Sequence, residues 1–256
     1  MDRKKPEIIT IASLKGGVGK SVLTIIFSYI LRDMNKKVLL IDLDPQNSLT
    51  SYFISHIKKI KGVNVYYMLK SHKASNLDKY INEINDNMCI IASHPVLYKF
   101  EQEDERYKEQ LLENCLDKIL SVHNFDYVII DTSPGLNFLL YNALNVTDKI
   151  VIPVQLERWS VEAFSILMNT IEEFNVFKRK KIEVSIIESQ FIKNRNTLKD
   201  IEKLLFRKYG LLIKGKIHSA NSIKVLINEL NEPNGKDIYY KEAKEVLEKN
   251  IIKKLR

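Results

Sequence analysis

Apolar residues in this chain fall into short runs set apart by turn-forming clusters, and the runs alternate between two periods. Stretches such as Val38-Leu39-Leu40-Ile41 and Tyr127-Val128-Ile129-Ile130 are continuously apolar, as strands covered on both faces should be. Between them lie segments with apolar positions at helical spacing, Val22 to Leu31 among them. The pattern predicts strands at 7–13, 37–43, 88–92, 126–131, 149–154, 182–188 and 211–217. It predicts helices at 20–33, 47–58, 77–85, 103–121, 137–146, 159–175, 196–209, 222–230 and 240–255. Such alternation implies an α/β fold, a three-layer, doubly wound, mostly parallel sheet that binds its ligands at the carboxyl ends of the strands. No repeat, low-complexity tract or Pro/Gly/Ser-rich linker breaks the series, so residues 1–256 read as a single domain.

The first strand–helix junction carries the candidate chemistry. Lys15-Gly16-Gly17-Val18-Gly19-Lys20-Ser21 follows the apolar run Ile8 to Ala12 and precedes the first helix. A strand, a glycine-rich turn and a helix start in that order make a phosphate cradle. The glycines let backbone N–H groups turn inward as an anion nest, and the helix adds its unpaired N–H groups and the positive end of its dipole. Lys20 then reaches the β- and γ-phosphates, and the Ser21 hydroxyl is placed to coordinate Mg²⁺. A plain turn would need neither of the two flanking lysines. Three carboxylates end apolar strands nearby: Asp42 and Asp44 in Leu40-Ile41-Asp42-Leu43-Asp44-Pro45-Gln46, and Asp131 after Ile129-Ile130. Apolar residues followed by Asp form the Walker B pattern, whose acid holds Mg²⁺. Alternation along the strand end gives Asp42 and Asp44 the same facing.

The standard P-loop begins with Gly where this chain has Leu14, and it lacks the second lysine, Lys15. KGGVGKS is instead the deviant Walker A pattern, and with Asp-Leu-Asp-Pro-Gln it resembles the ParA/MinD superfamily of ATPases. The resemblance implies a P-loop NTPase that hydrolyses ATP with Mg²⁺. It implies that Lys15 reaches across an ATP-sandwiched homodimer to the partner's phosphates, and that Asp44 orients the attacking water while Asp42 and Asp131 surround the magnesium. It runs over nearly the whole chain: Ile150 to Glu157 is similar to the strand and turn after Walker B, and Asn221 to Val225 with Gly235 to Ile238 to the family's last block. Thr132-Ser133-Pro134 departs mildly from the usual Thr-Pro-Pro. Residues 186–193 lack the Thr-x-x-Asp-like stretch, which leaves the adenine contacts unassigned, and Ala220 stands where an Arg is common.

Charge bears on the branch. The net charge is +8, with 19 basic against 18 acidic residues over 1–150 and 21 against 14 over 151–256. An excess gathered in the C-terminal part suits a polyanion-binding face, and lysine-rich codon usage would give the same numbers. Arg195 and Lys224 match basic positions of the family's DNA contacts. The first reading is therefore a ParA-like partition ATPase whose dimer binds DNA without reading sequence and is released when a ParB-like adaptor stimulates hydrolysis. Because the chain starts at the ATPase strand, no N-terminal helix-turn-helix is expected. A nucleoid-associated cytoplasmic protein follows, without stable membrane association.

The alternative is a MinD-like membrane-cycling ATPase. Ala243, Leu247, Ile251 and Leu255 form one apolar stripe, either an amphipathic anchor or the buried face of a last helix. An iron-protein reading needs cluster cysteines after Asp131, and Cys89 and Cys115 stand elsewhere; they read as small buried hydrophobes. Tyr239-Tyr240 alone does not make the tyrosine cluster of a regulatory kinase. No Cys/His set has metal-ligand spacing, and no apolar run approaches the ~20 residues of a membrane span.

Overall fold

A computed structural model describes residues 5–155, 160–191 and 199–252. Eight strands form one sheet in the order β3-β4-β2-β5-β1-β6-β7-β8. These are β1 Glu7–Ile11, β2 Val38–Leu43, β3 Ile81–Asn85, β4 Met88–Ile91, β5 Tyr127–Thr132, β6 Lys149–Val154, β7 Glu183–Phe191 and β8 Ile213–His218. All neighbours are parallel except β3, which pairs antiparallel with β4. The helices are α1 Lys20–Asp33, α2 Ser48–Tyr52, α3 Val65–Lys70, α4 Leu111–Val122, α5 Phe138–Val146, α6 Ser160–Lys178, α7 Lys199–Tyr209, α8 Asn221–Asn228 and α9 Ile238–Val246.

The apolar strands send alternate residues to opposite faces. In β2, Val38 and Leu40 join the core under α1, while Leu39, Ile41 and Leu43 join the core under α3 and α4. In β6, Val151 faces the α1 side, while Ile150 and Ile152 meet Phe164 and Leu167 of α6. Both faces are therefore covered, and this is why the strands carry no polar alternation.

The chain's last third completes the α1 side. Ile217, Ile223, Tyr239, Ala243, Leu247 and Ile251 all belong to the core that buries α1. Polar clasps fix this cover. Tyr240 donates to Asp33 Oδ2 at 2.6 Å, and Arg32 pairs with Glu232 at 2.8 Å. Buried Lys149 pairs with Glu7 at 3.0 Å and donates to the Ile251 carbonyl. The stripe of Ala243, Leu247 and Ile251 is at most 1% exposed, so it is a packed face; Leu255 lies outside the described residues.

The helix expected over 77–85 is not formed. Leu77, Tyr80, Ile81 and Ile84 have helical spacing, but a 3₁₀ turn at Asp78–Tyr80 leads into β3. The Asn85-Asp86-Asn87 turn then folds β3 back on the buried strand β4, and pairing with that strand overrides the local period. Three more expected helices are shorter than their patterns. The acidic start of 103–121 is spent on contacts such as Lys70–Glu103 at 3.0 Å, and α4 begins only at Leu111. Residues 47–58 form α2 and a 3₁₀ turn at Ile54–His56. Of the stretch 240–255, residues 240–252 form the end of α9 and a π turn at Leu247–Ile251, and 253–255 lie outside the described residues.

Candidate functional site

At the carboxyl end of β1 the chain turns through residues 12–19 into α1. Gly17 and Gly19 have φ of 74° and 91°, left-handed values that cost a residue with Cβ. Space is not the constraint at Gly17, since no atom lies within 4 Å of the point a Cβ would occupy. Gly19 is the N-cap of α1 and has no side chain to occupy the helix's free N–H groups, which leaves them for an anion. Val18 is buried, and its carbonyl accepts from Ser189 Oγ at 2.9 Å, which fastens the loop to β7. Lys20 Nζ donates to the Lys15 carbonyl at 3.4 Å, so the two lysines of the motif meet across the loop.

Lys20 is only 7% exposed. Burial lowers its pKa, and the carboxylates of Asp131 and Asp44 pull it back up. The structure thus brings one cation against two of the three acids expected at the site. A cleft of about 700 Å³ opens over this group, a volume suited to a nucleotide-sized ligand. Its walls include Gly16, Gly17, Lys20, Ser21, Asp44 and Tyr52. Tyr52 donates to the Asn231 carbonyl at 2.6 Å and so ties this wall to the segment after α8.

The acids are not equivalent. Asp42 and Asp131 are register partners on β2 and β5, and both are fully buried. Asp42 accepts three hydrogen bonds: Oδ1 from Asp44 N at 3.0 Å, and Oδ2 from Thr50 N at 2.8 Å and Thr50 Oγ1 at 2.7 Å. Burial pushes its pKa up to about 6, and those donors oppose the rise. Neither oxygen of Asp131 has a hydrogen-bond partner among the described residues. Burial, and then Asp42, raise its pKa well above the ordinary range. The Ser21 hydroxyl and Lys20 work against that rise, and Ser21 lies close by without reaching hydrogen-bond geometry. A bare carboxylate in a dry site, beside a serine hydroxyl and a phosphate loop, is the donor set of a hard divalent cation such as Mg²⁺. Asp44, 8% exposed, lines the cleft and accepts from Gln46 N at 2.8 Å through Oδ1.

Of the residues proposed for DNA, Lys224 is exposed on α8, and Arg195 lies outside the described residues. Three groups next to the site were not legible in the sequence: Thr50, Ser93 and Ser189. Each is a small polar residue in an otherwise apolar setting, and that is a weak signal.

A doubly wound sheet with a lysine-paired phosphate loop and acids ending its central strands defines a P-loop NTPase. The AAA domain family model matches residues 6–184, and the chain belongs to that family, within it to the ParA-type ATPases. It is similar to a plasmid partition protein from Borrelia burgdorferi B31 whose crystal structure holds AMPPNP. That likeness is 35% identity and a TM-score of 0.82, over 95% of this chain and 97% of the other. Sporulation initiation inhibitor protein Soj of Bacillus subtilis is 34% identical over 167 residues, 64% of each chain. Chromosome partitioning protein ParA of Caulobacter vibrioides is 27% identical over 195 residues, 75% of this chain and 72% of its own. Across the curated relatives compared, the matched stretch spans 56% to 72% of the relative's length.

Proposed function

We propose that this protein is an ATP hydrolase of plasmid or chromosome partition. One observation carries the reading: Lys20 and Asp44 line a cleft walled by the phosphate loop, and the buried Asp131 acts on Lys20 from beneath it. The loop amides and the α1 N-terminus receive the phosphates of ATP, with Lys20 on the β- and γ-groups. Ser21 and Asp131 hold Mg²⁺, which supplies charge neutralisation between the phosphates. Asp42 has committed its oxygens to the protein and supports the metal side from behind. Asp44 orients the attacking water. Lys15 serves the phosphates of the second copy in an ATP-closed homodimer. Positioning and charge neutralisation are most of what phosphoryl transfer needs.

The dimer binds DNA backbone through Lys224 and Arg195, and a ParB-like adaptor triggers hydrolysis and release. The partition roles of the similar proteins support this branch. The membrane-cycling alternative loses its main feature, because the apolar stripe of Ala243, Leu247 and Ile251 is buried against α1. Among the described residues, no helix is long and apolar enough to cross a membrane.

Co-sedimentation separates the branches. With ATP, the protein is expected to pellet with plain DNA of unrelated sequences and not with anionic vesicles, and ADP is expected to abolish the effect. Vesicle binding without DNA binding would overturn the partition reading.

A further inference from the structure

Asp44 is gripped by a closed ring of hydrogen bonds that joins the end of β2 to α2 and to the turn after β4. Its N–H donates to Asp42 Oδ1 at 3.0 Å, at the end of β2. The other oxygen of Asp42 accepts from Thr50 Oγ1, on α2, at 2.7 Å. Thr50 Oγ1 in turn accepts from the backbone N–H of Ser93, just past β4, at 2.7 Å. Ser93 Oγ then donates back to the carbonyl of Asp44 at 2.8 Å. Asp42, Thr50 and Ser93 are all 0% exposed.

Both main-chain groups of Asp44 are thus held, one by a carboxylate and one by a hydroxyl. The Thr50 hydroxyl is the hinge of the ring, since it donates to one neighbour and accepts from another. The ring lies behind Asp44, and neither Thr50 nor Ser93 lines the cleft. Linked donors and acceptors in a dry interior polarise and stiffen one another. A water-orienting carboxylate has to be held to within a fraction of an ångström, and among the described residues its own side chain makes one hydrogen bond, from Gln46 N.

We infer that Thr50 and Ser93 are positioning residues for Asp44, acting through its backbone to set where its carboxylate meets the attacking water. This rests on the ATPase reading above. Their contribution falls on the chemical step and not on nucleotide affinity, because neither touches the phosphate loop or the cleft.

The test is steady-state ATP hydrolysis by the full chain with Mg²⁺, using the near-isosteric pair Thr50→Val and Thr50→Ser, with Ser93→Ala alongside. Thr50→Val is expected to lower kcat by about tenfold or more, with the KM for ATP changed less than about twofold, in line with the cost of small misplacements. Thr50→Ser keeps the hydroxyl and is expected to retain most of the parent's kcat. Ser93→Ala is expected to lower kcat in the same sense as Thr50→Val. An unchanged kcat in Thr50→Val, equal losses in the Val and Ser variants, or a KM rise matching the kcat loss would each overturn the inference. Should Thr50→Val fail to fold, Ser93→Ala decides, and a parental kcat there overturns it. If the parent shows no Asp44-dependent hydrolysis, the ATPase reading itself falls and this inference falls with it. Normal kcat in Thr50→Val, with an active parent and an inactive Asp44→Ala, sinks only the ring.

Discussion

Asp42 and Asp131 stand opposite each other in the register of β2 and β5, both without solvent exposure, yet they are treated in opposite ways. Asp42 accepts three hydrogen bonds from its own chain, and Asp131 accepts none among the described residues. Two carboxylates side by side repel, and a buried one without donors is costly. A fold bears that cost where a ligand is to supply the missing charge. The pair therefore divides, with one acid bonded into the protein and the other left without a hydrogen bond among the described residues.

This division makes Asp131→Asn informative. Without Mg²⁺ and nucleotide, replacing this buried carboxyl, which accepts no hydrogen bond among the described residues, is expected to raise stability by about 1 kcal/mol, read by urea unfolding. The same variant is expected to lose Mg²⁺-dependent ATP turnover. A less stable variant would mean that the attraction of Lys20 outweighs the cost of burying the carboxyl.

The two lysines of the loop are expected to separate binding from turnover. Lys20→Ala removes the cation aimed at the phosphates, and ATP binding measured by calorimetry should be lost. Lys15→Ala is expected to bind ATP and to fail in hydrolysis or ATP-dependent dimerisation, followed by light scattering. Parental turnover in Lys15→Ala would remove the role across the dimer.

Gly215 is needed for close approach, not for an unusual backbone. A Cβ there would stand 2.5 Å from Val246 Cγ2, so β8 and α9 pack without room for a methyl group. Gly215→Ala is expected to cost about 1–3 kcal/mol, as overpacking does, seen as a lower urea midpoint with unchanged slope. A neutral result would show that α9 shifts freely on the sheet.

The thiols are expected to be inert. Burial pushes Cys115 up to about 12 and Cys89 up to about 11, so in mildly alkaline buffer both remain protonated and poorly nucleophilic. A disulfide-exchange reagent should label neither at an appreciable rate until the chain is unfolded. Fast labelling of Cys115 in the native protein would contradict the packing around α4.

The sequence carried the site further than it carried the periphery. The bounds of α1 match the expected 20–33, because a glycine turn fixes one end and the apolar period the other. Asp42, Asp44 and Asp131 were placed at strand ends by the apolar runs before them, and the sheet puts them there. What periodicity could not separate was the division of labour among the acids, which depends on Thr50 and Ser93 arriving from α2 and the end of β4. Segment 77–85 misled because its apolar positions satisfy a helix, while the turn at 85–87 and the pairing with β4 satisfy a strand. The final apolar stripe allowed a buried or a lipid-facing helix, with burial favoured, and contacts with α1, distant in sequence, bury it.

Those contacts also bear on how the chain matures on the ribosome. The helix that begins at Lys20 is among the first parts translated, yet Tyr239, Tyr240, Leu247 and Ile251 are needed to shelter it. Until they have left the exit tunnel, the amino-terminal half presents an uncovered greasy flank. The flank of the sheet beneath the phosphate loop's helix is therefore closed only once the last third of the chain has docked.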